Sequence, residues 1–542
     1  MDDRRKTIHR VAEERFGFAS LRPGQCEAIE ALLDDRDTLA VMSTGSGKSA
    51  IYQIAGLLRE GATVVISPLI ALQRDQVEDL RENANAAAQL NSSLSAGERE
   101  EALADLAEDA LEFLFLAPEQ LANPDVLDEL RVAGISMLVV DEAHCISEWG
   151  HDFRPDYLRL GAVIEELGRP VVAALTATAA PPVRAEIEER LGMRNAAVVV
   201  RGFDRPNIHL AVDRFHTASS HDKAIVGRVT TAPKPGIVYT ATRRNAAELA
   251  GGLAAAGVRA AAYHAGLPGS EREDVQERFM DDELDVVVAT TAFGMGIDKA
   301  NVRFVYHAEP ADSLDSYYQE IGRAGRDGKP AEAMLFYRPE DLGLRRFFAG
   351  SGQVDVEDIA RVAEVVGDAA GPVPAPALQD ATDLSASKLT TAVSRLEDVG
   401  AVEVLPTGDV VESPDAPARR DAVHEAAEDQ ERRRQFDRSR IDMMRAYAEA
   451  DSCRREVVLS YFGEPYDPPC GNCDWCDAHQ DQPEEDDGPR PFAIGTRVRH
   501  GQWGEGAVQR YDDGAVTVLF DEVGYKTLAV GVVEERGLLE PA

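Results

Sequence analysis

The chain has 542 residues, enough for three to four domains at about 150 residues each. Its 44% hydrophobic and 28% charged content excludes disorder along the full length. A net charge of −39 excludes a chain that is basic throughout, while a local basic patch stays open because a total does not locate charge.

The opening residues MDDRRKTIHR carry no apolar stretch behind their charges, so no secretory signal is expected. No uncharged apolar run reaches the roughly 18 residues of a membrane span. The expectation is a soluble protein of the cytoplasm, associated with the nucleoid and monomeric. Arginine outnumbers lysine 49 to 8. A GC-rich genome and a salty cytoplasm both account for this.

Short apolar runs stand at 38–42, 62–67, 113–116, 137–140 and 171–175, and again at 236–240, 259–263, 285–290, 303–307 and 332–337. Helix-like stretches separate them. Near-continuous Val/Ile/Ala runs suit parallel strands covered on both faces. Two such series predict two α/β lobes, 1–205 and 206–348, joined near 205–225 where strand signals lapse. Residues 350–415 read as helices and a hairpin around Thr407-Gly408, the outline of a winged helix, with an ordinary helical spacer as the alternative. Residues 428–476 read as long helices ending in a cysteine cluster. The acidic, Pro-bearing stretch 477–491 reads as a disordered linker. Residues 492–542 alternate in short Gly-punctuated strands, predicting a small β-barrel.

Thr44-Gly45-Ser46-Gly47-Lys48-Ser49 lies between a predicted strand and a helix. Backbone N–H groups and a helix N-terminus there would cradle phosphates. Lys48 would reach the β/γ-phosphates of ATP and Ser49 a Mg²⁺. Met42 stands where the general pattern opens with glycine. Asp141-Glu142-Ala143-His144 follows the strand-like MLVV, which assigns Asp141 to Mg²⁺ and Glu142 to the attacking water. Gln319, Arg323 and Arg326 fall in QEIGRAGR, where two arginines three apart on one helix face could reach a γ-phosphate from the second lobe. Arg326 is expected as the finger and Arg323 as its support.

Cys453, Cys470, Cys473 and Cys476 offer four thiolates, two x2 gaps sharing Cys473. That spacing predicts a closed tetrahedral zinc site, structural in role; a redox disulfide pair is the alternative. Cys26 and Cys145 read as ordinary buried thiols.

These motifs at these spacings resemble a superfamily-two helicase, and further residues resemble the RecQ family. Phe18, Arg22 and Gln25 in FGF…LRPGQ resemble its adenine-recognition motif, which implies that Gln25 reads the base edge while Phe18 and Arg22 flank it. The stretch Asp141–Pro155 resembles the family's aromatic-rich loop. The resemblance implies DNA contacts at Ser67, Trp149, His151, Phe153 and Arg154. Flat faces at Trp149 and Phe153 would each stack a base for about 1–3 kcal/mol, although on periodicity alone both read equally well as core. Cys453-Arg-Arg and Tyr461-Phe-Gly-Glu resemble the family's zinc module. The implied activity is ATP-dependent 3′–5′ unwinding of DNA in repair and recombination, on single-stranded and tailed duplex DNA. A DNA-stimulated translocase that separates strands weakly is the alternative.

Two departures stand out. The winged-helix-like segment precedes the cysteines, whereas the resemblance implies that it should follow them, so a duplex-prying hairpin is not assumed. Residues 495–528 instead resemble the Tudor-like module that ends UvrD-type helicases, implying a protein partner such as RNA polymerase or a repair factor, with a generic SH3-like barrel as the alternative.

Overall fold

The computed structural model describes residues 3–43, 45–68, 70–83, 86–91, 94–108, 110–147, 154–294, 297, 299–349, 354–405, 407–464, 466–479, 490–512 and 514–542. The chain divides into two compact units: Met1–Met42, Ser46–Gly202 and Gly350–Arg434 form the first, and Ser43–Gly45, Phe203–Ala349 and Gln435–Ala542 the second.

The first unit is built on seven parallel strands, β1 Thr38–Met42, β2 Thr63–Ile66, β3 Ala87–Leu90, β4 Phe113–Leu116, β5 Met137–Val140, β6 Val171–Thr176 and β7 Ala197–Arg201. Their spatial order is β3-β4-β2-β5-β6-β1-β7. Strands β1, β2, β4 and β5 are buried along their whole length and are apolar but for Thr38 and Thr63 at the head of β1 and β2. Ile51, Ile54, Val65, Phe113, Phe115 and Val139 meet in one core. The order places the C-terminal ends of β1 and β5 on either side of β6. A parallel sheet presents its ligand sites along that edge.

The same unit contains three helices, Val356–Gly367, Ala375–Thr382 and Ala386–Asp398, and a hairpin that pairs Val402–Val404 with Val410–Glu412. Apolar residues at 359, 362, 363 and 366 recur at helical spacing and make one buried face. Ser385 caps the third helix by accepting from the Lys388 N–H. Its core joins Ile359, Leu378, Leu389, Leu396, Val402 and Val410 to Ala422 and Ala426 of the long helix Arg419–Glu449.

The second unit carries six parallel strands, β8 Ile208–Arg214, β9 Gly236–Tyr239, β10 Ala260–Tyr263, β11 Val286–Ala289, β12 Phe304–His307 and β13 Ala331–Tyr337, in the order β10-β11-β9-β12-β13-β8. The region expected to lack strand signal thus holds β8. The hairpin strands of the first unit are β14 Val402–Val404 and β15 Val410–Glu412.

Beyond them, the helices Arg454–Tyr461 and Asp474–Ala478 carry the cysteines. Five antiparallel strands complete the unit: β16 Arg497–His500, β17 Gly504–Asp512, β18 Ala515–Phe520, β19 Gly524–Ala529 and β20 Leu539–Pro541. Their order is β19-β18-β17-β16-β20, so the last strand returns beside the first. This sheet is seated on the helices next to it. The Tyr525 ring stacks 5.2 Å from Tyr461, and its backbone N–H donates to Ser439 Oγ at 3.1 Å. Ten residues of the expected linker, 480–489, lie outside the described residues.

Candidate functional site

The helix Ser49–Leu57 follows β1 through the Gly-rich turn, and Gly45 and Gly47 take φ of 76° and 75°, where glycine is the unstrained residue. Lys48 folds back so that Nζ donates to the Met42 carbonyl at 3.1 Å. Gln25 is almost fully buried and bolts two motifs together. Its Oε1 accepts from the Arg22 N–H at 2.7 Å, and its Nε2 donates to the carbonyls of Ser46 at 3.0 Å and Gly47 at 2.8 Å. A Cβ on Gly47 would stand 3.0 Å from that Nε2, so the turn must be glycine to pass so close. Phe18 is exposed and stacks on Phe16 at 5.8 Å. Ser49 Oγ accepts from Gln76 at 3.1 Å. Thr44 lies outside the described residues.

Asp141 ends β5. Burial pushes its carboxyl up to about 7, the neighbouring Glu142 charge adds to the rise, and Lys48 opposes it. A pair that is costly to ionise together is relieved by a cation between its oxygens. The site therefore fits Mg²⁺, and Asp141 and the Ser49 hydroxyl are the groups that would hold it. Glu142 sits in the left-handed region at φ 49°, a strain of about 1–3 kcal/mol that surrounding contacts must hold. Those contacts are visible. Glu142 Oε2 lies 3.3 Å from His144 Nδ1, which is 2.9 Å from Thr176 Oγ1 at the end of β6. The Cys145 N–H donates to the Glu142 carbonyl at 2.8 Å, and the Tyr157 hydroxyl donates to the Asp141 carbonyl at 3.0 Å.

In the second unit the helix bearing Gln319 spans Leu314–Ile321, so Arg323 and Arg326 are not on a helix face as the sequence reading expected. They stand on the turn that follows. Within that turn Gly325 takes φ 56°, and a Cβ there would come within 2.5 Å of Asn207 Nδ2 and 2.9 Å of the Lys329 carbonyl. Arg205 Nη1 donates to the Gly322 carbonyl at 3.0 Å and Nη2 to Ala324 at 2.8 Å, while Asn207 Nδ2 donates to Gly325 at 2.8 Å and Lys329 at 2.9 Å. Sequence reasoning missed both residues. Their FDRPN segment was assigned to a join, and no side-chain pattern marks a residue whose partners are carbonyls. Arg323 is buried at 5% exposure beside Tyr239, whose hydroxyl donates to the Phe293 carbonyl at 2.7 Å.

The four cysteines converge as the spacing required. All four Sγ atoms lie within 4.8 Å of one another, and Cys470 and Cys476 are 3.8 Å apart. Sulfurs about 2.3 Å from a tetrahedral zinc are separated by about 3.8 Å, so the cage fits that ion. Cys473 accepts from Cys453, Cys470 and the Cys476 and Arg454 N–H groups, which holds its thiol far below the ordinary range; Cys470 is pushed correspondingly up. No disulfide joins the six cysteines. Around the cage, Arg454 Nε donates to Asp474 at 2.9 Å, and the Val212 N–H of β8 donates to the same carboxylate at 3.1 Å. The cage is thereby fixed to the edge of the second sheet.

Two of the expected DNA-contacting residues come together. Arg154 Nη1 donates to the Pro68 carbonyl at 3.1 Å, next to buried Ser67. Trp149, His151 and Phe153 lie outside the described residues. No described helix is long and apolar enough to cross a membrane.

Three family matches cover these parts: DEAD/DEAH box helicase over 22–186, helicase conserved C-terminal domain over 222–328, and RecQ zinc-binding over 414–477. The chain is 36% identical over 463 residues to the probable ATP-dependent DNA helicase RecS of Bacillus subtilis, covering 85% of this chain and 89% of that one. The chain belongs to the RecQ family. It is also 36% identical over 485 residues to the ATP-dependent DNA helicase RecQ of Pasteurella multocida, covering 89% of this chain but 64% of that longer relative. In fold, it is similar to the DUF1998 helicase MrfA bound to DNA, at a TM-score of 0.52 and 16% identity over 79% of this chain and 64% of that one. The last two family matches leave 329–413 between them, and the three-helix segment with its hairpin falls there.

Proposed function

We propose that the chain is an ATP-driven DNA helicase that moves 3′ to 5′ along single strands and opens tailed duplexes in repair and recombination. The observation that carries this is the placement of Lys48 near enough to Asp141 to lower its carboxyl, with Glu142 next to it, along the C-terminal edge of one parallel sheet. Lys48 would bind the β/γ-phosphates, and Ser49 and Asp141 would hold Mg²⁺. That ion would draw charge from the transferring phosphoryl group. Glu142 would orient the attacking water and take its proton. Gln319, Arg323 and Arg326 would stabilise charge on the γ-phosphoryl oxygens. Phe18, Arg22 and Gln25 would hold adenine. Ser67 and Arg154, with His151, Trp149 and Phe153, would hold single-stranded DNA by phosphate contact and base stacking. Zinc would be structural, because four thiolates leave it no open position.

The C-terminal sheet would bind a protein partner, with RNA polymerase or a repair factor as the candidate class. The chain would work as a monomer in the cytoplasm, on the nucleoid.

The test is ATPase and strand displacement measured together on 3′-tailed and 5′-tailed duplexes across salt concentrations. Opening of the 3′-tailed duplex alone is expected. A second reading, a translocase with weak strand separation, is favoured by one observation. Lys388 and Arg395, the cations of the helix Ala386–Asp398, are engaged by Asp358 at 3.1 Å and Asp398 at 3.6 Å and do not form a duplex-reading surface. Stimulated ATPase without opening would select it.

A further inference from the structure

Within the first unit, the three-helix segment is fastened to the parallel-sheet lobe by a half-hidden cluster of charges. Asp398 ends the helix Ala386–Asp398. It accepts from Arg190 Nη2 at 2.5 Å and from Arg433 Nη2 at 2.5 Å. Arg190 lies on the lobe helix Pro181–Arg190, and its Nε donates to Glu186 at 2.8 Å. Arg433 also reaches Glu186, at 3.7 Å. The side chains of Glu186, Arg190, Arg433 and Asp398 are 10–16% exposed. Charges so withdrawn from water are costly unless each is paired, so their positions are tightly coupled.

The cluster does not end at the lobe surface. Glu186 Oε2 accepts from Ser147 Oγ at 2.5 Å, and Ser147 is fully buried. Ser147 closes the single turn Ala143–Ile146 that begins at Glu142. Its N–H donates to the His144 carbonyl at 3.1 Å. A continuous path of hydrogen bonds and ion pairs therefore runs from Asp398 through Arg190, Glu186 and Ser147 to the strained turn holding Glu142. The hairpin points inward as well: a Cβ on Gly408, at its tip, would lie 3.6 Å from Arg159 of the lobe. The end of the third helix and the tip of the hairpin thus both meet the chain's own lobe.

We propose that the segment 354–412 is an internal brace for the water-orienting turn, and that Glu186 is the positioning residue through which it acts on Glu142. The inference rests on the ATPase reading above, and the wild-type rate separates a failure of that reading from a failure of this one.

The test is a double-mutant cycle between Ser147→Ala and Asp398→Asn in the full chain, read as kcat and KM for ATP at saturating single-stranded DNA. Each substitution is expected to lower kcat by about threefold or more and to leave KM within about twofold. Acting on one path, the double variant should be no slower than the worse single by more than about twofold. An unchanged kcat for Asp398→Asn, or a double variant whose loss is the product of the two singles, would overturn the proposal. Where Asp398→Asn fails to fold, Arg190→Lys takes its place under the same criteria, since lysine keeps the charge but lacks the fork by which Nε reaches Glu186 while Nη2 reaches Asp398. Lys388→Ala should leave duplex binding unchanged; weakening by about tenfold would make the segment a DNA reader and overturn the brace.

Discussion

Arg205 donates to the carbonyl of Ala324 at 2.8 Å, and so grips the turn that presents Arg323 and Arg326 from a segment some 120 residues earlier. Its other terminal nitrogen takes Gly322, so one planar side chain clamps the carbonyls of a turn whose own backbone supplies only short i to i−3 bonds at Arg323 and Ala324. Arg205→Ala should lower kcat for ATP by about tenfold or more while KM changes little, because the loss is of geometry at the transferring phosphoryl group. Arg205→Lys should recover little of this, since an ammonium lacks the fork. Steady-state ATPase decides it; a change confined to KM would place Arg205 outside the catalytic path. Arg326→Ala should cost more, about 10³-fold or beyond, the scale of an arginine finger.

Lys48 and Glu142 should separate binding from chemistry. Lys48→Ala removes the only side-chain cation on the phosphate turn and should abolish DNA-stimulated turnover. Glu142→Gln keeps shape and hydrogen bonding but cannot take a proton, so kcat should fall by about 10²-fold or more with ATP still bound. Nucleotide binding by fluorescence alongside phosphate release checks both. Turnover that persists in Lys48→Ala would remove the phosphate turn from the mechanism.

The sheets were legible where strands are buried on both faces. FLFL at 113–116 and MLVV at 137–140 are continuous apolar runs because helices cover them on either side. The strands that the sequence did not reveal, β3, β7 and β8, are each at the edge of a sheet. Edge strands admit polar residues, so Gln89 and His209 interrupt β3 and β8, while β7 keeps an apolar run, Ala197–Val200, whose Val198 is exposed. At the site, the residues whose chemistry depends on type and spacing were legible: Lys48, Asp141, Glu142 and the four cysteines. Arg205, Asn207 and Glu186 were not, because they act on backbone carbonyls or across 39 residues or more, and neither relation leaves a local pattern. The arginine pair was legible as residues but not as geometry, because the helix expected to carry both ends at Ile321, before either arginine.

Removal of zinc should loosen the second unit more than the first. The cage holds Cys453, at the head of the helix Arg454–Tyr461, against the Cys470–Cys476 turn. Through Asp474 it also ties Arg454 to the Val212 N–H of β8. Structural zinc contributes about 10–16 kcal/mol of binding free energy in small modules, which is folding free energy here. Cys470→Ser should bring metal content from one zinc per chain toward none and lower the melting temperature. Limited proteolysis should then cut near 450–479 before it cuts 38–201. A variant that retains zinc and melts as the wild type does would contradict the four-thiol cage.

Acid should release the charge cluster that fastens the three-helix segment. Asp429 accepts from Arg433 Nε at 2.7 Å. Burial pushes its carboxyl up, but the Arg433, Arg395 and Arg432 guanidinium groups outweigh burial and hold it below the ordinary 3.8. A carboxyl that is more acidic in the folded chain binds its proton later than in the unfolded one. Its stabilisation is therefore complete above about pH 4 to 5 and is lost as the pH falls through the folded value. Asp429→Asn should unfold at lower urea than the wild type at pH 7, and the gap should hold to about pH 5 and narrow toward pH 3 as the wild-type carboxyl takes up its proton. Urea midpoints at those three values measure it. A gap that widened on acidification would mean that Asp429 is protonated in the folded chain and that Arg433 is held by Asp398 and Glu186 alone.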